Sequence, residues 1–335
     1  MEIGDEAMSV EMSILKKIRA VHIKTARESQ LREALEDLFE MDETGRLTAE
    51  PIRFTDGTET HGVAFIEGSG GGKTTAIRRA LNAFEPLALN VDTGAPHWLF
   101  VKVESPATLR SLGVDILKKL GIDRVADRTK VYDVWDMVRK RLQIMDIKLL
   151  WIDEAHDLFS ENITAETNAM FRMLKGLMQG DHPVVVVLSG TDRLKRITKM
   201  DGQINRRFAK ICPPALAFGA DNEGLEKIVH AYARKAGLKP DISPETVNRI
   251  IRAGRHRFGR CIELIILAIS CALKDKSKSL NLQHFEVAYG KHESCEITEN
   301  VFAVPDWTSI VLGDDDAAEA MNDAKPKRGR KNKAA

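Results

Sequence analysis

The chain has 335 residues, 43% of them hydrophobic, so it is long enough to bury a large core in one domain or in two. Its 50 basic and 49 acidic residues leave a net charge of +1, which excludes nucleic-acid binding through overall charge and leaves only local patches for that role. The cysteines form no C-x-x-C pair, and the chain shows neither a signal-peptide pattern nor an apolar run near ~18 residues, so we expect a cytoplasmic protein with no zinc site and no membrane partner.

The N-terminal part of the chain is predicted to form a helical extension over residues 1–45. Ile14 and Ile18 recur at helical spacing, and Leu31 and Leu35 belong to a second such series. The basic residues between them form either a solvated face or a contact with a partner. The segment that follows contains glycine and proline, and we expect a loop or a short hairpin that leads to the first core strand.

A glycine-rich loop joins the next predicted strand to the next predicted helix. The strand is the apolar run 62–66, and the loop has the sequence Glu67-Gly68-Ser69-Gly70-Gly71-Gly72-Lys73-Thr74. This run matches the phosphate-binding pattern G-x-x-x-x-G-K-[ST] except at its first position, where Glu67 replaces glycine. Glycines let backbone N–H groups turn around phosphate oxygens, Lys73 adds a positive charge, and the hydroxyl of Thr74 suits a Mg²⁺ ligand. We therefore expect nucleotide phosphates to contact the following residues: Gly68, Ser69, Gly70, Gly71, Gly72, Lys73, Thr74 and Thr75.

Strand and helix patterns alternate along the next part of the chain. An apolar strand pattern is followed by amphipathic helices at 109–120 and 129–145, which favours a parallel sheet with helices on both faces. The next predicted strand, 148–152, ends in Asp153-Glu154, and ligands of such sheets bind beyond the carboxyl ends of the strands. We expect Asp153 to reach the Mg²⁺ shell and Glu154 to orient the attacking water.

Two later segments carry further candidates. The apolar run 184–188 is followed by Ser189 and, two residues later, Thr191. We expect Thr191 to lie beside the γ-phosphate, with Ser189 as the next choice, although both residue types also suit a helix cap. The adjacent Arg206 and Arg207 are either solvated charge or a pair that senses the phosphate of a neighbouring subunit, because a guanidinium stabilises a transferring phosphoryl group.

The sequence predicts a P-loop ATPase domain over residues 46–215 and a small all-helical lid domain over residues 216–292, separated by a proline pair. Arg260 opens a helix of the second domain, and it is either surface charge or a residue that reaches back to the nucleotide. Residues 293–335 are predicted to form an apolar arm followed by a disordered charged tail. The basic end of this tail either contacts DNA or an acidic partner, or only increases solubility.

The phosphate loop, the Asp-Glu strand end, the polar strand tip, the arginine pair and the lid arginine occur in the order found in AAA+ ATPases. In that order, the chain resembles an α/β P-loop AAA+ ATPase, with a parallel sheet flanked by helices and a helical lid. Shorter features add to this resemblance: Ile18-Arg19-Ala20-Val21-His22-Ile23, Leu188-Ser189-Gly190-Thr191, Gln203-Ile204-Asn205-Arg206-Arg207-Phe208, Glu299-Asn300-Val301-Phe302 and Asp306-Trp307. With these segments, the chain resembles the TniB family of transposition ATPases. Relatives of that family are the TnsC-type regulators and the target-selecting ATPase of phage Mu.

The resemblance implies a protein that binds ATP and Mg²⁺, assembles head to tail on duplex DNA as a filament or a ring, and presents the target to a transposase. A TniQ-type targeting protein is a further implied partner, and ATP hydrolysis dissolves the assembly. The implied roles are MgATP binding by Lys73, Thr74 and Asp153, activation of water by Glu154, γ-phosphate sensing by Thr191, action across the subunit boundary by Arg207, and lid sensing by Arg260. Candidate DNA contacts are Arg110, Lys118 and Lys119, which either meet the phosphate backbone or form a solvated helix face.

Other interpretations of the same motifs exist. The run Asp153-Glu154-Ala155-His156 spells the DEAH signature of a helicase, but only helical patterns follow residue 215, where such a helicase has a second RecA-like lobe. A replication-type AAA+ loader and a nucleotide-gated DNA scaffold with negligible hydrolysis stay open. Turnover that rises with duplex DNA and a transposase would separate the transposition ATPase from the loader, and negligible turnover with ATP-dependent DNA binding would favour the scaffold.

Overall fold

The computed structural model describes residues 2–21, 23–90, 94–159 and 164–313, with side chains from residue 11 onward. The described chain divides into two compact units. A sheet unit comprises residues 24–68 and 73–214, and a helical unit comprises the described residues before 24, Ser69–Gly72 and the described residues from 215. The charged tail for which the sequence predicts disorder lies, from residue 314, outside the described residues.

The helices, in chain order, are α1 (Glu2–Arg19), α2 (Ala26–Glu36), α3 (Lys73–Ala83), α4 (Leu109–Lys119), α5 (Val131–Ile144), α6 (Ala165–Leu177), α7 (Asp192–Thr198), α8 (Gly202–Arg207), α9 (Asn222–Lys235), α10 (Pro244–Ala253), α11 (Phe258–Lys274) and α12 (Leu282–Glu293). The strands are β1 (Phe39–Met41), β2 (Leu47–Pro51), β3 (Gly62–Ile66), β4 (Trp98–Lys102), β5 (Leu149–Asp153), β6 (Val185–Gly190), β7 (Phe208–Ile211), β8 (Lys239–Pro240) and β9 (Ser279–Leu280).

The sheet unit is built on five parallel strands in the spatial order β4-β5-β6-β3-β7. Strands β3, β5 and β6 are buried along their whole length, as parallel strands are when helices cover both faces of the sheet. Because alternate side chains point to opposite faces, Ala64 and Ile66 belong to one apolar core, and Val63 and Phe65 belong to the other. The parallel α/β sheet predicted from the sequence is therefore confirmed.

The carboxyl ends of the central strands meet at one edge of this sheet. β3 pairs with β6 up to Ile66 and Gly190, and β5 pairs with β6 up to Ile152 and Leu188. β3 continues into the glycine-rich loop and α3, whereas β5 ends at Asp153. Parallel pairing therefore brings together residues that are far apart in the sequence.

The helical prediction for residues 1–45 is wrong after residue 38, where the chain enters an antiparallel hairpin. β1 pairs with β2, and Phe39 lies opposite Pro51. Phe39 is buried in the same apolar core as the inner face of α2. Asp42 closes the turn by accepting hydrogen bonds from two backbone N–H groups. The apolar spacing suggested a longer helix because Phe39, although it belongs to the hairpin, is buried in the same core as Leu31 and Leu35 of α2.

The helical unit has its own apolar core. Ile18 of α1, Val229 of α9, Ile265 of α11 and Phe285 of α12 are fully buried in it, and α1 packs on α9 and α11. The short parallel pair of β8 and β9 joins two loops of this unit, in a region where the sequence shows no strand pattern. None of the described helices has both the length and the apolarity needed to cross a membrane.

Two arginines of α10 fix the irregular arm that follows α12. Arg249 donates hydrogen bonds to the carbonyl oxygens of Val301 and Val304 across 2.7 and 2.8 Å. Arg252 donates to the carbonyl oxygen of Ile310 across 2.5 Å. Backbone carbonyls that pack against protein need hydrogen-bond donors, and here guanidinium groups supply them in place of a neighbouring strand. The predicted arm is thus part of the helical unit.

The packing of α1 gives a prediction with a control on the same helix. Ile18→Ala is expected to lower the free energy of unfolding by about 2–5 kcal/mol, because the shortened side chain leaves a cavity in the helical unit. Met12→Ala, at a side chain that is 66% exposed, is expected to change it by less than about 0.5 kcal/mol. Urea denaturation followed by circular dichroism measures both, and equal effects would contradict the packing of α1.

Candidate nucleotide site

A hydrogen bond joins the start of α3 to the end of β5. The Oγ1 atom of Thr74 donates to the Oδ2 atom of Asp153 across 2.9 Å. Thr74 is the second residue of α3, and the buried Asp153 is the last residue of β5. The structure thus brings together two residues that the sequence patterns selected separately as Mg²⁺ ligands.

Lys73 and Glu154 form the charged pair of the site. The Nζ atom of the buried Lys73 lies 3.4 Å from the Oε1 atom of Glu154. Glu154 has a φ of 53° and a ψ of 38°, which is the left-handed region that residues other than glycine rarely adopt. Such backbone strain persists where the surrounding structure holds it, and it occurs often at functional sites. The strained backbone holds the Glu154 carboxylate beside the lysine of the phosphate loop.

His156 lies next to this pair. It is buried, and its Nδ1 atom is 3.5 Å from the Oε2 atom of Glu154. Burial lowers the pKa of His156, and the nearby carboxylates of Asp157 and Glu154 offset only part of this effect. We therefore expect His156 to be neutral near neutral pH. A Cβ atom at Gly190 would lie 2.8 Å from Nδ1 of His156, so the packing of this ring requires glycine at the end of β6.

Ser189, rather than Thr191, contacts the acidic strand end. The hydroxyl of Ser189 donates to the Oδ1 atom of Asp153 across 2.5 Å, and it accepts a hydrogen bond from Nε1 of Trp151 across 2.8 Å. Thr191 is buried at the N-cap position of α7, where its side chain makes no capping hydrogen bond. Ser189 thus contacts Asp153 directly, and the expected place of Thr191 beside the γ-phosphate stays a prediction. Trp151 lies within an apolar run, so the sequence pattern does not mark it as part of the site.

The oxygen atoms at this edge fit a hard divalent cation that binds together with phosphates. Mg²⁺ is usually held in such sites by one or two protein oxygens, with phosphate and water oxygens completing its shell. Thr74 and Asp153 offer a hydroxyl and a carboxylate joined across 2.9 Å. Lys73 offers a buried ammonium group at the start of α3. A helix N-terminus also favours a bound phosphate.

Within the helical unit, the loop residues Ser69–Gly72 contact the start of α11. The N–H groups of Gly259 and Arg260 donate to the carbonyl oxygens of Gly71 and Gly70 across 3.2 and 3.0 Å. The first N–H groups of a helix have no partner inside that helix, so the loop carbonyls act as its cap. A Cβ atom at position 259 would clash with the carbonyl oxygen of Gly70, and this close approach therefore requires glycine.

The predicted lid residue Arg260 lies against this loop. A Cβ atom added to Gly70 would be 2.7 Å from the Cγ and Nε atoms of Arg260. The two residues line a cavity of about 380 Å³ together with Ser69 and Tyr289. Burial raises the pKa of Tyr289 to about 12, so its hydroxyl stays protonated.

Of the two remaining loop candidates in the sheet unit, Gly68 is buried and Thr75 is exposed.

Glu67, the departure from the phosphate-loop pattern, has a structural partner. Its Oε1 atom accepts a hydrogen bond from Nε of Arg27 across 3.0 Å. The Nη2 atom of Arg27 lies 2.9 Å from the same oxygen. Both side chains are largely buried, and Arg27 belongs to the first turn of α2. The backbone N–H of Glu67 donates to the carbonyl oxygen of Gly190 across 3.0 Å. Glu67 therefore ties α2 to the end of β3.

A buried carboxylate holds the arginine pair at the end of α8. Glu59 forms ion pairs with both Arg206 and Arg207. Burial raises the pKa of Glu59, but hydrogen bonds from Arg207, Thr55 and Gln179 outweigh this effect and hold the pKa below its ordinary value. The side chain of Arg207 is 3% exposed, whereas that of Arg206 is 56% exposed. The ion pair with Glu59 keeps the guanidinium of Arg207 buried in this conformation, and the role of Arg207 across a subunit boundary stays a prediction.

The arginine pair lies at the amino edge of the sheet, opposite the phosphate loop. Phe208, the first residue of β7, pairs with Gly62, the first residue of β3, whereas the loop begins after Ile66. At about 3.3 Å per residue, the strand between these positions is ~13 Å long. A guanidinium at the amino edge is therefore too far away to complete the site of its own subunit.

The three predicted DNA contacts lie on α4. Arg110 donates to the carbonyl oxygen of Ala126 across 2.9 Å, which uses part of its guanidinium within the subunit. The Nζ atom of Lys118 lies 3.5 Å from the Oδ1 atom of Asp115, and the side chain of Lys118 is about half exposed. Lys119 is exposed. These contacts with DNA stay predictions.

The order of the parallel strands, the phosphate loop and the Asp-Glu strand end define the AAA+ class of P-loop ATPases. Within that class the chain belongs to the TniB family, because the family described as bacterial TniB protein matches residues 15–218. A search of curated proteins found no match.

Solved structures of similar fold include ORC and Cdc6 proteins of Aeropyrum pernix and Pyrobaculum aerophilum. The chain is 16% identical to the ORC1 protein of Aeropyrum pernix, solved in complex with DNA, with a TM-score of 0.57 over 84% of this chain and 68% of that one. It is 13% identical to Cdc6p of Pyrobaculum aerophilum, with a TM-score of 0.57 over 83% of this chain and 73% of that one. The ORC2 protein of Aeropyrum pernix, solved as ADPNP-ADP complexes, is 14% identical, with a TM-score of 0.56 over 83% and 72% of the two chains. These similarities show a shared fold.

The Glu59 ion pairs give a prediction about the two adjacent arginines. Arg207→Ala is expected to destabilise the sheet unit by about 3–5 kcal/mol, because it leaves a buried carboxylate without its main partner. Arg206→Ala is the matched control, and its mostly exposed ion pair is expected to contribute about 1 kcal/mol or less. Thermal and urea unfolding of both variants tests this. A larger loss for Arg206→Ala would show that the roles of the two residues are exchanged.

Proposed function

We propose that the protein is an ATP-dependent, DNA-associated regulator of transposition that hydrolyses ATP. The observation that carries the proposal is the arrangement of Lys73, Thr74, Asp153 and Glu154 at the carboxyl edge of the sheet. Membership of the TniB family supports the link to transposition.

Each residue of the site has a role that follows from its chemistry. The loop N–H groups and Lys73 would hold phosphate oxygens, and Thr74 and Asp153 would hold Mg²⁺, which would neutralise charge on the phosphates. The carboxylate of Glu154 would accept a proton from the attacking water. Bound phosphate would first replace Glu154 as the ion-pair partner of Lys73 and so leave the carboxylate free for this role. Arg260 would act as a lid residue through its place beside the loop.

Hydrolysis on this proposal needs a second copy of the chain. On this proposal an arginine of the pair stabilises the transferring phosphoryl group of a neighbouring subunit, because the pair lies at the opposite edge of its own sheet. Arg206 is the member of the pair whose side chain is exposed, and Glu59 fixes its position. Head-to-tail contacts of this kind produce a ring when they close and a helical filament when they do not.

On this proposal the subunits assemble on duplex DNA. The assembly then recruits a transposase and a TniQ-type targeting protein. Two of the solved structures with this fold, the ORC1 protein of Aeropyrum pernix and the Drosophila ORC, are complexes with DNA. Contacts to the phosphate backbone give strong salt dependence and little sequence preference. Filter binding with and without ATP, at two salt concentrations and on unrelated duplexes, tests this part. Binding that needs neither ATP nor low salt would contradict it.

Two substitutions separate nucleotide binding from turnover. Lys73→Ala is expected to abolish ATP binding and the DNA binding that depends on it, because the phosphates lose their buried positive charge. Glu154→Gln keeps the shape of the side chain but loses the base, so ATP should bind while turnover falls by about 10²–10⁴-fold. Calorimetric titration and phosphate release measure the two effects. An unchanged affinity for ATP in Lys73→Ala would show that Lys73 does not bind the nucleotide.

A mixing experiment tests the role of Arg206 across subunits. Arg206→Ala alone is expected to bind ATP normally and to lose hydrolysis by ~10³-fold or more. Arg206→Lys should restore little, since an ammonium lacks the planar fork of a guanidinium. Mixing Arg206→Ala with Lys73→Ala protein should recover part of the activity, because some interfaces of the mixed assembly are intact. Arg32→Ala, at another exposed arginine of the sheet unit, is the control. Co-assembly without any recovered hydrolysis would refute the role in trans.

A further inference from the structure

Three buried side chains form a chain of hydrogen bonds behind the acidic strand end. The Nε1 atom of Trp151 donates to Oγ of Ser189 across 2.8 Å, and Oγ of Ser189 donates to Oδ1 of Asp153 across 2.5 Å. Trp151 and Ser189 have no exposed surface, and Asp153 has almost none. The pairing of β5 with β6 places the three residues side by side.

The direction of these hydrogen bonds follows from the groups involved. An indole nitrogen only donates, so Ser189 must accept from Trp151. The serine hydroxyl has a single proton, and the bond from Trp151 leaves that proton for the carboxylate. A hydroxyl-to-carboxylate distance of 2.5 Å is typical of a strong, charge-assisted bond. Trp151 therefore sets the direction in which Ser189 donates.

Both oxygen atoms of the Asp153 carboxylate are thereby engaged. Oδ1 accepts from Ser189, and Oδ2 accepts from Thr74 across 2.9 Å. Donors on both sides fix the plane of the carboxylate. In metal sites, partners of this kind orient the ligand, and their mutation typically costs about 10–100-fold in metal affinity or activity.

We propose that Trp151 and Ser189 are positioning residues that orient Asp153 for a complex of nucleotide and divalent cation. Ser189 acts directly on the carboxylate, and Trp151 acts only through Ser189. This inference rests on the proposed function, because it assigns a task at the same nucleotide site. A phenylalanine at position 151 would preserve packing against Phe100, whose ring centroid lies 4.4 Å away, but it would remove the hydrogen bond.

The test measures how much Mg²⁺ is needed for binding of a fluorescent, non-hydrolysable ATP analogue. Ser189→Ala and Trp151→Phe are each expected to raise the Mg²⁺ concentration at half-maximal binding by about tenfold, the lower end of the range for such partners. Binding of the same analogue in EDTA is expected to stay at the wild-type level. Trp98→Phe is the matched control, since its ring lies 6.4 Å from Trp151 on the neighbouring strand and outside this chain of hydrogen bonds.

The double variant distinguishes a chain of hydrogen bonds from simple packing. If Trp151 acts only through the serine hydroxyl, then adding Trp151→Phe to Ser189→Ala should cause no further rise in the Mg²⁺ requirement. Two effects that multiply would show that Trp151 acts through packing instead, and would overturn its assigned role. Should Trp151→Phe fail to fold, the comparison of Ser189→Ala with wild type decides the role of the serine.

The outcomes also separate this inference from the proposed function. Wild-type protein that binds no nucleotide in the presence of Mg²⁺ would overturn both. Wild-type protein with Mg²⁺-dependent binding, together with variants that keep the wild-type Mg²⁺ requirement, would overturn only the positioning roles. A selective rise in that requirement, with unchanged binding in EDTA, would support both.

Discussion

Parallel pairing of β3, β5 and β6 is the constraint on which the candidate site depends. It forces the phosphate loop and the acidic strand end to the same edge of the sheet, where Thr74 and Asp153 form a hydrogen bond although they are 79 residues apart. The apolar cores on the two faces keep this edge in place, since each strand contributes side chains to both. The apolar side chains of these strands therefore hold the residues of the site in place through their packing.

Buried carboxylates form a second theme of the structure. Glu59 holds the arginine pair at the amino edge, and Glu67 holds Arg27 at the carboxyl edge. A carboxylate removed from water requires a partner, and a guanidinium satisfies it with several donors in a fixed plane. The outcome differs between the two members of the arginine pair: Arg207 becomes part of the interior, while Arg206 keeps its exposed surface.

Much of the fold could be predicted from the sequence, because the phosphate loop and the alternation of apolar strands and amphipathic helices follow local rules. The strand ends of β3 and β5 could be placed for the same reason. The arginine partners of Glu59 and Glu67 and the serine partner of Trp151 could not, since these contacts join residues that are 38 to 148 positions apart and depend on how elements pack. Local spacing also failed at Phe39, where a hairpin buries an apolar side chain as a helix would.

The contact between Glu67 and Arg27 has a consequence for how these two positions vary among related chains. A glycine at position 67, as in the usual pattern, would remove the carboxylate from the largely buried guanidinium of Arg27. An uncharged residue at position 27 would in turn leave a buried carboxylate at the entrance of the loop. Because the two largely buried side chains form an ion pair across 2.9 Å, we expect the two positions to covary across the family, charged together or neutral together.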